Sequence, residues 1–243
     1  MYAYDLYVPM IEDSFFKLDY PAARDTVLES VAPLGAEYQA ILKQGLVEQR
    51  WVDVYEYPKK RSGAYSSGCY DTHPYILMNY NSSINDLFTL AHEAGHSMQT
   101  FLSNSNQSFV DASYPIFVAE VASTFNEQLL LKHLLDNASS KKEKIFLLSY
   151  AIDSFRATFF RQTMFAEFEQ KIHQFVEEGT PLTPALLQAT YKQLNQEYYG
   201  EDLTVDSLLE IEWSRIPHFF YYNFYVYQYA TGVSAALELF QGV

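Results

Sequence analysis

Apolar positions recur at helical spacing along most of the chain, interrupted by a few clusters of turn formers. After a Pro-containing extended start, Tyr20-Pro21 opens a helical pattern that pauses at Pro33, Leu34 and Gly35. It resumes to about Trp51, which predicts an αα-hairpin. Residues 58–74 (PKKRSGAYSSGCYDTHP) are the one stretch rich in turn residues and read as a loop. Residues 75–80 (YILMNY), bounded by Pro74 and by Asn81 with two serines, predict a short strand. A helix is expected from Ser83 to about Leu102, with Ser82 or Ser83 as its N-cap. A polar loop over 103–114 leads through Pro115, at a first-turn position, into a helix reaching about Asp136. Further helices are expected over 141–178, ended by Gly179-Thr180-Pro181, over about 184–198, and from Pro217 to the last residues. No internal repeat, low-complexity tract or interdomain linker interrupts this pattern.

Composition narrows what such a helical chain can do. Its 243 residues carry 16 Lys+Arg against 30 Asp+Glu, a net charge of −14, which repels nucleic acid and anionic membrane surfaces. With 49% hydrophobic and only 19% charged residues the chain can bury a large core. Aromatic residues are abundant, 21 Tyr and 18 Phe against 9 Gly, which favours bulky helical packing over turn-rich β architecture. The single cysteine, Cys69, excludes an intrachain disulfide and a thiolate metal cluster, and is expected to be buried or half-buried. With an N-terminus that lacks the pattern of a secretory signal, this points to a cytoplasmic protein. Between Arg215 and Glu238 no Asp, Glu, Lys or Arg occurs, yet Pro217, His218, Asn223, Gln228 and five tyrosines argue against a lipid-facing helix. That segment is expected to lie buried in protein, so neither a membrane nor nucleic acid is an expected partner.

Residues 92–96 read HEAGH, an H-E-x-x-H inside the helix predicted from Ser83. Positions four apart on an α-helix differ by only about 40°, so His92 and His96 share a face and can ligate one ion. Glu93 points about 100° away from His92, where it can reach a metal-bound water as general base. Catalytic zinc commonly takes three protein ligands, and Glu120, on the next predicted helix, is the best third. Phe117, Val118, Ala119, Val121 and Ala122 around it are apolar, so an unpaired charge there would be costly without a cation. Ser123, Thr124 and Glu127 share its face. One of them could hydrogen-bond the second nitrogen of a ligating histidine, Glu127 and Asp86 being the preferred candidates for this supporting role.

A second constellation lies near the C-terminus. On one continuous helix, His218, Tyr222, Tyr225 and Tyr229 fall within a single stripe, suited to donate hydrogen bonds to a developing oxyanion. An aromatic core stripe with internally satisfied hydroxyls is the competing reading. His73 is expected at the surface. His133 and His173 lack ligand-spaced partners, apart from Glu169 four residues before His173, a pair that reads as a surface hydrogen bond. The strand over 75–80 is a candidate edge for pairing with an extended peptide.

HEAGH, FVAEVASTFNE with its glutamate 24 residues after His96, SGAYSSG before PYILMNY, and RIPHFFYYNFYVYQYATG together resemble oligoendopeptidase F. That is a branch of the thimet-oligopeptidase-like zinc metallopeptidases, and the resemblance runs over essentially the whole chain. It implies a mostly α, zincin-like (neurolysin-like) catalytic domain with a small β-sheet, cleaving short oligopeptides in a deep cleft. By motif, one Zn2+ would be held by His92, His96 and Glu120, with Glu93 as base. His218 with Tyr225 and Tyr229 would be the substrate-binding and oxyanion-stabilising group, the choice among Tyr222, Tyr225 and Tyr229 staying open. Members of that family are much longer, so residues 1–243 are expected to form a single partial catalytic domain, truncated at both ends. Such a fragment leaves room for association with an absent N-terminal region. The expected activity is zinc-dependent endopeptidase; the rivals are a zinc-binding fragment without turnover and a plain helical domain with incidental histidines.

Overall fold

In the computed structural model, which describes residues 1–8, 11 and 17–243, helices start where capping residues stand. The Asp19 carboxylate accepts from the Ala22 amide at 3.0 Å and starts α1 (Tyr20–Ser30), with Pro21 in its first turn. A 3-10 turn, Ala32–Leu34, and Gly35 lead into α2 (Ala36–Lys43), which runs on into a π-turn, so the expected hairpin forms. Ser83 caps α3 (Ile84–Asn106) reciprocally with Asp86: the Asp86 amide donates to Ser83 Oγ at 3.2 Å and the Ser83 amide to Asp86 Oδ2 at 3.0 Å. Pro115 is the N-cap of α4 (Ile116–Asn137), one position earlier than a first-turn proline.

The sheet has three short strands, β1 (Val52–Asp53), β2 (Tyr65–Ser67) and β3 (Tyr75–Leu77), in the order β1-β3-β2. β1 is parallel and β2 antiparallel to β3, with Ser66 opposite Ile76. Extended pairing outlasts the strand itself: the Met78 and Tyr80 amides donate to the carbonyls of Asp53 and Val54, each at 2.9 Å. Two expectations change here. Residues 58–74 are not all loop, because β2 lies among them, and β3 presents no free ladder edge, because neighbours pair it on both sides. The outer strands are β1 and β2.

Two compact units make up the chain, Asp13–Leu148 with Gly232–Val243, and Met1–Glu12 with Ser149–Thr231. The first holds α1–α4 and the sheet, around a core that includes Trp51, Ile76, Leu87, Leu90, Met98 and Leu130. Each such side chain contributes roughly 1.5–3 kcal/mol by leaving water. The second holds α6 (Arg161–Glu177), α7 (Pro184–Tyr199), α8 (Ser207–Glu210) and α9 (His218–Tyr221). Its core sets Met164, Phe165 and Phe168 of α6 against Tyr191 and Leu194 of α7 and against Ile216 and Val226. The divisions fall inside α5 (Lys141–Phe155) and α10 (Tyr227–Phe240).

Three further expectations are corrected. The start of the chain contains a 3-10 turn over Ala3–Tyr7, while Pro9 lies outside the described residues. Cys69 is exposed, because it sits in the turn between β2 and β3, where its carbonyl accepts from the Thr72 amide at 3.1 Å. The charge-free C-terminal segment is not uniformly buried: Phe220, Tyr221, Tyr222, Phe224 and Tyr227 are exposed. It is also not one helix, since α9 stops at Tyr221 and α10 starts at Tyr227, so an apolar stripe cannot run through it. Among the described residues no helix is long and apolar enough to cross a membrane.

Glu212 ties the second unit together. Its carboxylate accepts from Arg161 Nη2 at 2.6 Å, from the Tyr191 hydroxyl at 2.7 Å and from Arg215. Burial works against its charge, but the Arg161 hydrogen bond and charge, helped by Tyr191 and Arg215, outweigh burial and hold the carboxyl below its ordinary range. A group depressed in the folded state contributes stability above its unfolded pKa and loses it as pH falls through the folded one. Glu212→Gln should therefore lower Tm clearly near neutrality, by the equivalent of about 2–4 kcal/mol. The gap to wild type should narrow on acidification, which thermal unfolding followed by circular dichroism at several pH values would measure.

Candidate metal centre

α3 carries His92, Glu93 and His96, and α4 carries Glu120 and Glu127. The two helices approach so closely that a Cβ on Gly95 would lie 2.7 Å from Ser123 Cα and 2.8 Å from the Ala122 carbonyl oxygen. Only a residue without a side chain fits at that crossing. Gly232 of α10 meets α4 from its own side, where a Cβ would lie 3.0 Å from Glu120 Cβ. α4 is thus approached at Ala122 and Ser123 by Gly95 and at Glu120 by Gly232.

The crossing brings one ligand atom each from His92, His96 and Glu120 within 4.8 Å of one another. His96 Nε2 lies 3.1 Å from His92 Nε2, and Glu120 Oε2 lies 3.8 Å from His92 Nε2. Ligand atoms on a tetrahedral zinc ion are about 3.3 Å apart, from bonds of about 2.0–2.1 Å, so the donor set and its spacing suit such an ion. Each imidazole is held through its other nitrogen. His92 Nδ1 is 2.5 Å from Glu127 Oε1, and the Ala119 backbone accepts a hydrogen bond from the His96 ring. Glu127 therefore fills the supporting role expected of it. Asp86 does not, being committed to the cap of α3, and Ser123 and Thr124 donate to the carbonyl of Glu120.

Burial sets the electrostatics. It disfavours the charged form of His92, but the Glu127 hydrogen bond, with the charges of Glu127, Glu93 and Glu120, outweighs it and raises the group to about 9. Burial, then the neighbouring His92, pushes His96 down to about 3, leaving it neutral as a ligand must be. Glu93 is only 6% exposed, and among the described residues its Oε2 has no hydrogen-bond partner. Burial, opposed by His92 and by a backbone hydrogen bond from Ser66, leaves its carboxyl above the ordinary range, as suits a general base.

The aromatic constellation forms in the other unit, by a route different from the expected stripe. α9 ends after His218–Tyr221, Phe224 takes a left-handed conformation with φ 57°, and α10 restarts at Tyr227. Rings still gather around His218, with centroids at 5.1 Å for Tyr225, 6.0 Å for Tyr229 and 6.3 Å for Tyr222. The Tyr229 hydroxyl lies 3.4 Å from His218 Nε2, a long hydrogen bond, and burial pulls His218 below its usual pKa. Among the described residues the remaining histidines belong to no such three-residue donor group. His73 is half-buried, between Trp51 and Tyr75, and His133 faces Glu29 at 3.6 Å. Glu169 and His173 are not a surface pair, since Glu169 is buried on α6.

Gly95, Gly232 and Ser66 were not singled out in the sequence. Gly95 stands inside HEAGH itself, and Ser66 lies in a run flanked by Gly63 and Gly68. The glycine content of both stretches is the signal that could have found them.

The sequence pattern described as peptidase family M3 matches residues 17–243. The chain is 54% identical over 239 residues to oligopeptidase PepF of Bacillus subtilis (strain 168), a match covering 98% of this chain and 35% of that protein. A solved structure of a Chlamydophila abortus protein matches with a TM-score of 0.81 at 52% identity, covering 99% of this chain and 40% of that one. Oligoendopeptidase-F from Enterococcus faecium matches with a TM-score of 0.67 at 34% identity, over 99% of this chain and 35% of that one. The chain therefore spans about two fifths or less of the length of these relatives.

Two substitutions probe the centre. Glu127→Ala should weaken zinc affinity about 10- to 100-fold with little effect on fold, as read by competition with a chromophoric chelator. Gly95→Ala should cost roughly 1–3 kcal/mol through the forced separation of α3 and α4. It should also weaken zinc binding at unchanged ligand chemistry, seen in thermal unfolding and the same titration.

Proposed function

The chain belongs to peptidase family M3, and we propose that it carries the machinery of a zinc-dependent endopeptidase acting on short oligopeptides. The observation that carries the reading is Glu93, a buried carboxylate with a partnerless oxygen, next in sequence to His92 of a three-residue donor set. An orphaned buried oxygen is costly unless something polar reaches it in the working state. His92, His96 and Glu120 would hold the zinc ion, which when bound supplies Lewis acidity to a scissile carbonyl and acidifies a water.

The chain's own residues divide the remaining work. Glu93 takes a proton from the attacking water on its carboxylate and returns it to the departing amine, which its raised pKa favours. Glu127, on His92 Nδ1, fixes the ring so that Nε2 is left for the ion. His218 with a hydroxyl of Tyr225 or Tyr229 donates to the developing oxyanion, and burial, by keeping His218 neutral, keeps the ring an N–H donor without a fixed charge. An extended substrate pairs with β2, the one of the two outer strands whose Ser66 backbone hydrogen-bonds Glu93. A second reading, zinc binding without turnover, rests on the chain's short span relative to its relatives.

Bound zinc and hydrolysis of a quenched fluorescent peptide, measured for wild type and Glu93→Gln, separate these readings. The peptidase reading expects about one zinc per chain in both proteins and a kcat lower in the variant by about 10²–10⁴-fold. Zinc without turnover in wild type would leave the second reading standing, and a chain that takes up no zinc would sink both.

A further inference from the structure

α6 presents two residues, one helical turn apart, to the turn between α9 and α10. The Phe224 amide donates to Glu169 Oε1 at 2.7 Å, and the His173 ring lies against the Phe224 ring with centroids 4.6 Å apart. Both ends of this contact are costly by themselves. Phe224 holds φ 57°, a region that a bulky side chain occupies at a penalty of about 1–2 kcal/mol. Glu169 is 3% exposed, and a buried carboxylate without a donor is unfavourable. The hydrogen bond offsets both costs at once: the carboxylate gains a donor, and the strained residue gains a charged acceptor for its amide. The turn also engages α10, since the Gln228 side chain donates to the Phe224 carbonyl at 3.1 Å.

What this turn sets is the placement of the tyrosines. Val226, 1% exposed, anchors the chain just after it, and Ile216 anchors the chain just before α9. Between these anchors the chain reverses, so that Tyr225 and Tyr229, on the far side of the turn, face His218 on the near side. Had residues 217–240 formed one helix, the same four side chains would lie along a line instead of around one imidazole.

We infer that Glu169 and His173 are positioning residues: a clamp on the Phe224 turn that fixes the distances of Tyr225 and Tyr229 from His218. Its catalytic consequence rests on the peptidase reading above, in which that group meets the oxyanion. Small displacements of such donors lower turnover while leaving ground-state binding largely intact.

Glu169→Leu keeps most of the side-chain volume and removes the acceptor, whereas Glu169→Gln keeps an acceptor oxygen. The variants are compared with wild type by amide hydrogen exchange at Phe224, by the NMR resonance of the His218 ring, and by peptide hydrolysis of the zinc-loaded chain. In Glu169→Leu the Phe224 amide should exchange about 10- to 100-fold faster, the factor for a hydrogen bond to a charged acceptor. The His218 resonance should move, and kcat should fall about tenfold or more with KM within about threefold. Glu169→Gln should restore all three. A folded Glu169→Leu chain with wild-type Phe224 exchange and an unmoved His218 resonance would overturn the clamp. Should that variant not fold, His173→Ala, which removes the ring against Phe224 and leaves the Glu169 acceptor in place, is read on the same two signals, and no change there overturns it equally. A wild-type chain that shows both signals yet has no Glu93-dependent hydrolysis fails the peptidase reading and leaves the clamp intact.

Discussion

The candidate metal centre depends on a backbone contact between two helices. α3 supplies two imidazoles from successive turns, which helical geometry alone puts on one face, but the third donor belongs to α4. How near Glu120 comes is set by how near the helix axes come, and that is decided at Gly95, where a Cβ would collide with Ser123 Cα and the Ala122 carbonyl. Any side chain at that position holds the helices apart. Gly232 packs closely on α4 at Glu120, though less tightly, its added Cβ lying 3.0 Å from Glu120 Cβ. Two residues with no chemistry of their own thus determine whether three residues with chemistry can share one ion.

The charges gathered there explain why the site calls for a cation. Glu93, Glu120 and Glu127 stand around two imidazoles, largely out of water, and ionised carboxylates in such surroundings are expensive unless paired. One proton on His92 offsets only part of this. A divalent ion held by His92, His96 and Glu120 would satisfy more of it, with Glu127 still engaged by His92 Nδ1. Glu93 is the member left over, its Oε2 without a partner, and it is the group assigned the proton transfer. The same burial that makes the cluster costly raises the Glu93 carboxyl toward the range in which it can accept and return a proton.

The aromatic segment shows a different economy. The tyrosine excess invited a helical stripe, yet the chain breaks at Phe224 and gathers its rings around His218 by turning. The break is stabilised from α6, by a buried carboxylate to which the Phe224 amide donates. Strain in one element and an unsolvated charge in another are relieved by a single hydrogen bond. The outward-facing rings of this segment, Tyr221 and Tyr222 among them, stay in contact with solvent.

Much of this was legible in the order of residues, because the relevant rules are local. Caps at Asp19 and Ser83, the pause at Pro33, the 3.6-residue periodicity of α3, α4 and α6, and the two-histidine face of HEAGH each depend on neighbours within a few positions. Glu120 and Glu127 were also within reach, since a carboxylate on an apolar helix face has to be paired. The features that escaped depend on contacts between distant residues. β2 has no periodicity of its own and exists because β3 pairs it; the same pairing denies β3 its open edge. Nothing within residues 217–229 announces a break at Phe224, because its acceptor lies 55 residues earlier in the chain. Local sequence determined which helices form and which side chains share a helical face. Tertiary structure decided which faces meet and where a helix must stop, because those outcomes are set by the burial of charge and the exclusion of volume between segments that sequence order keeps apart.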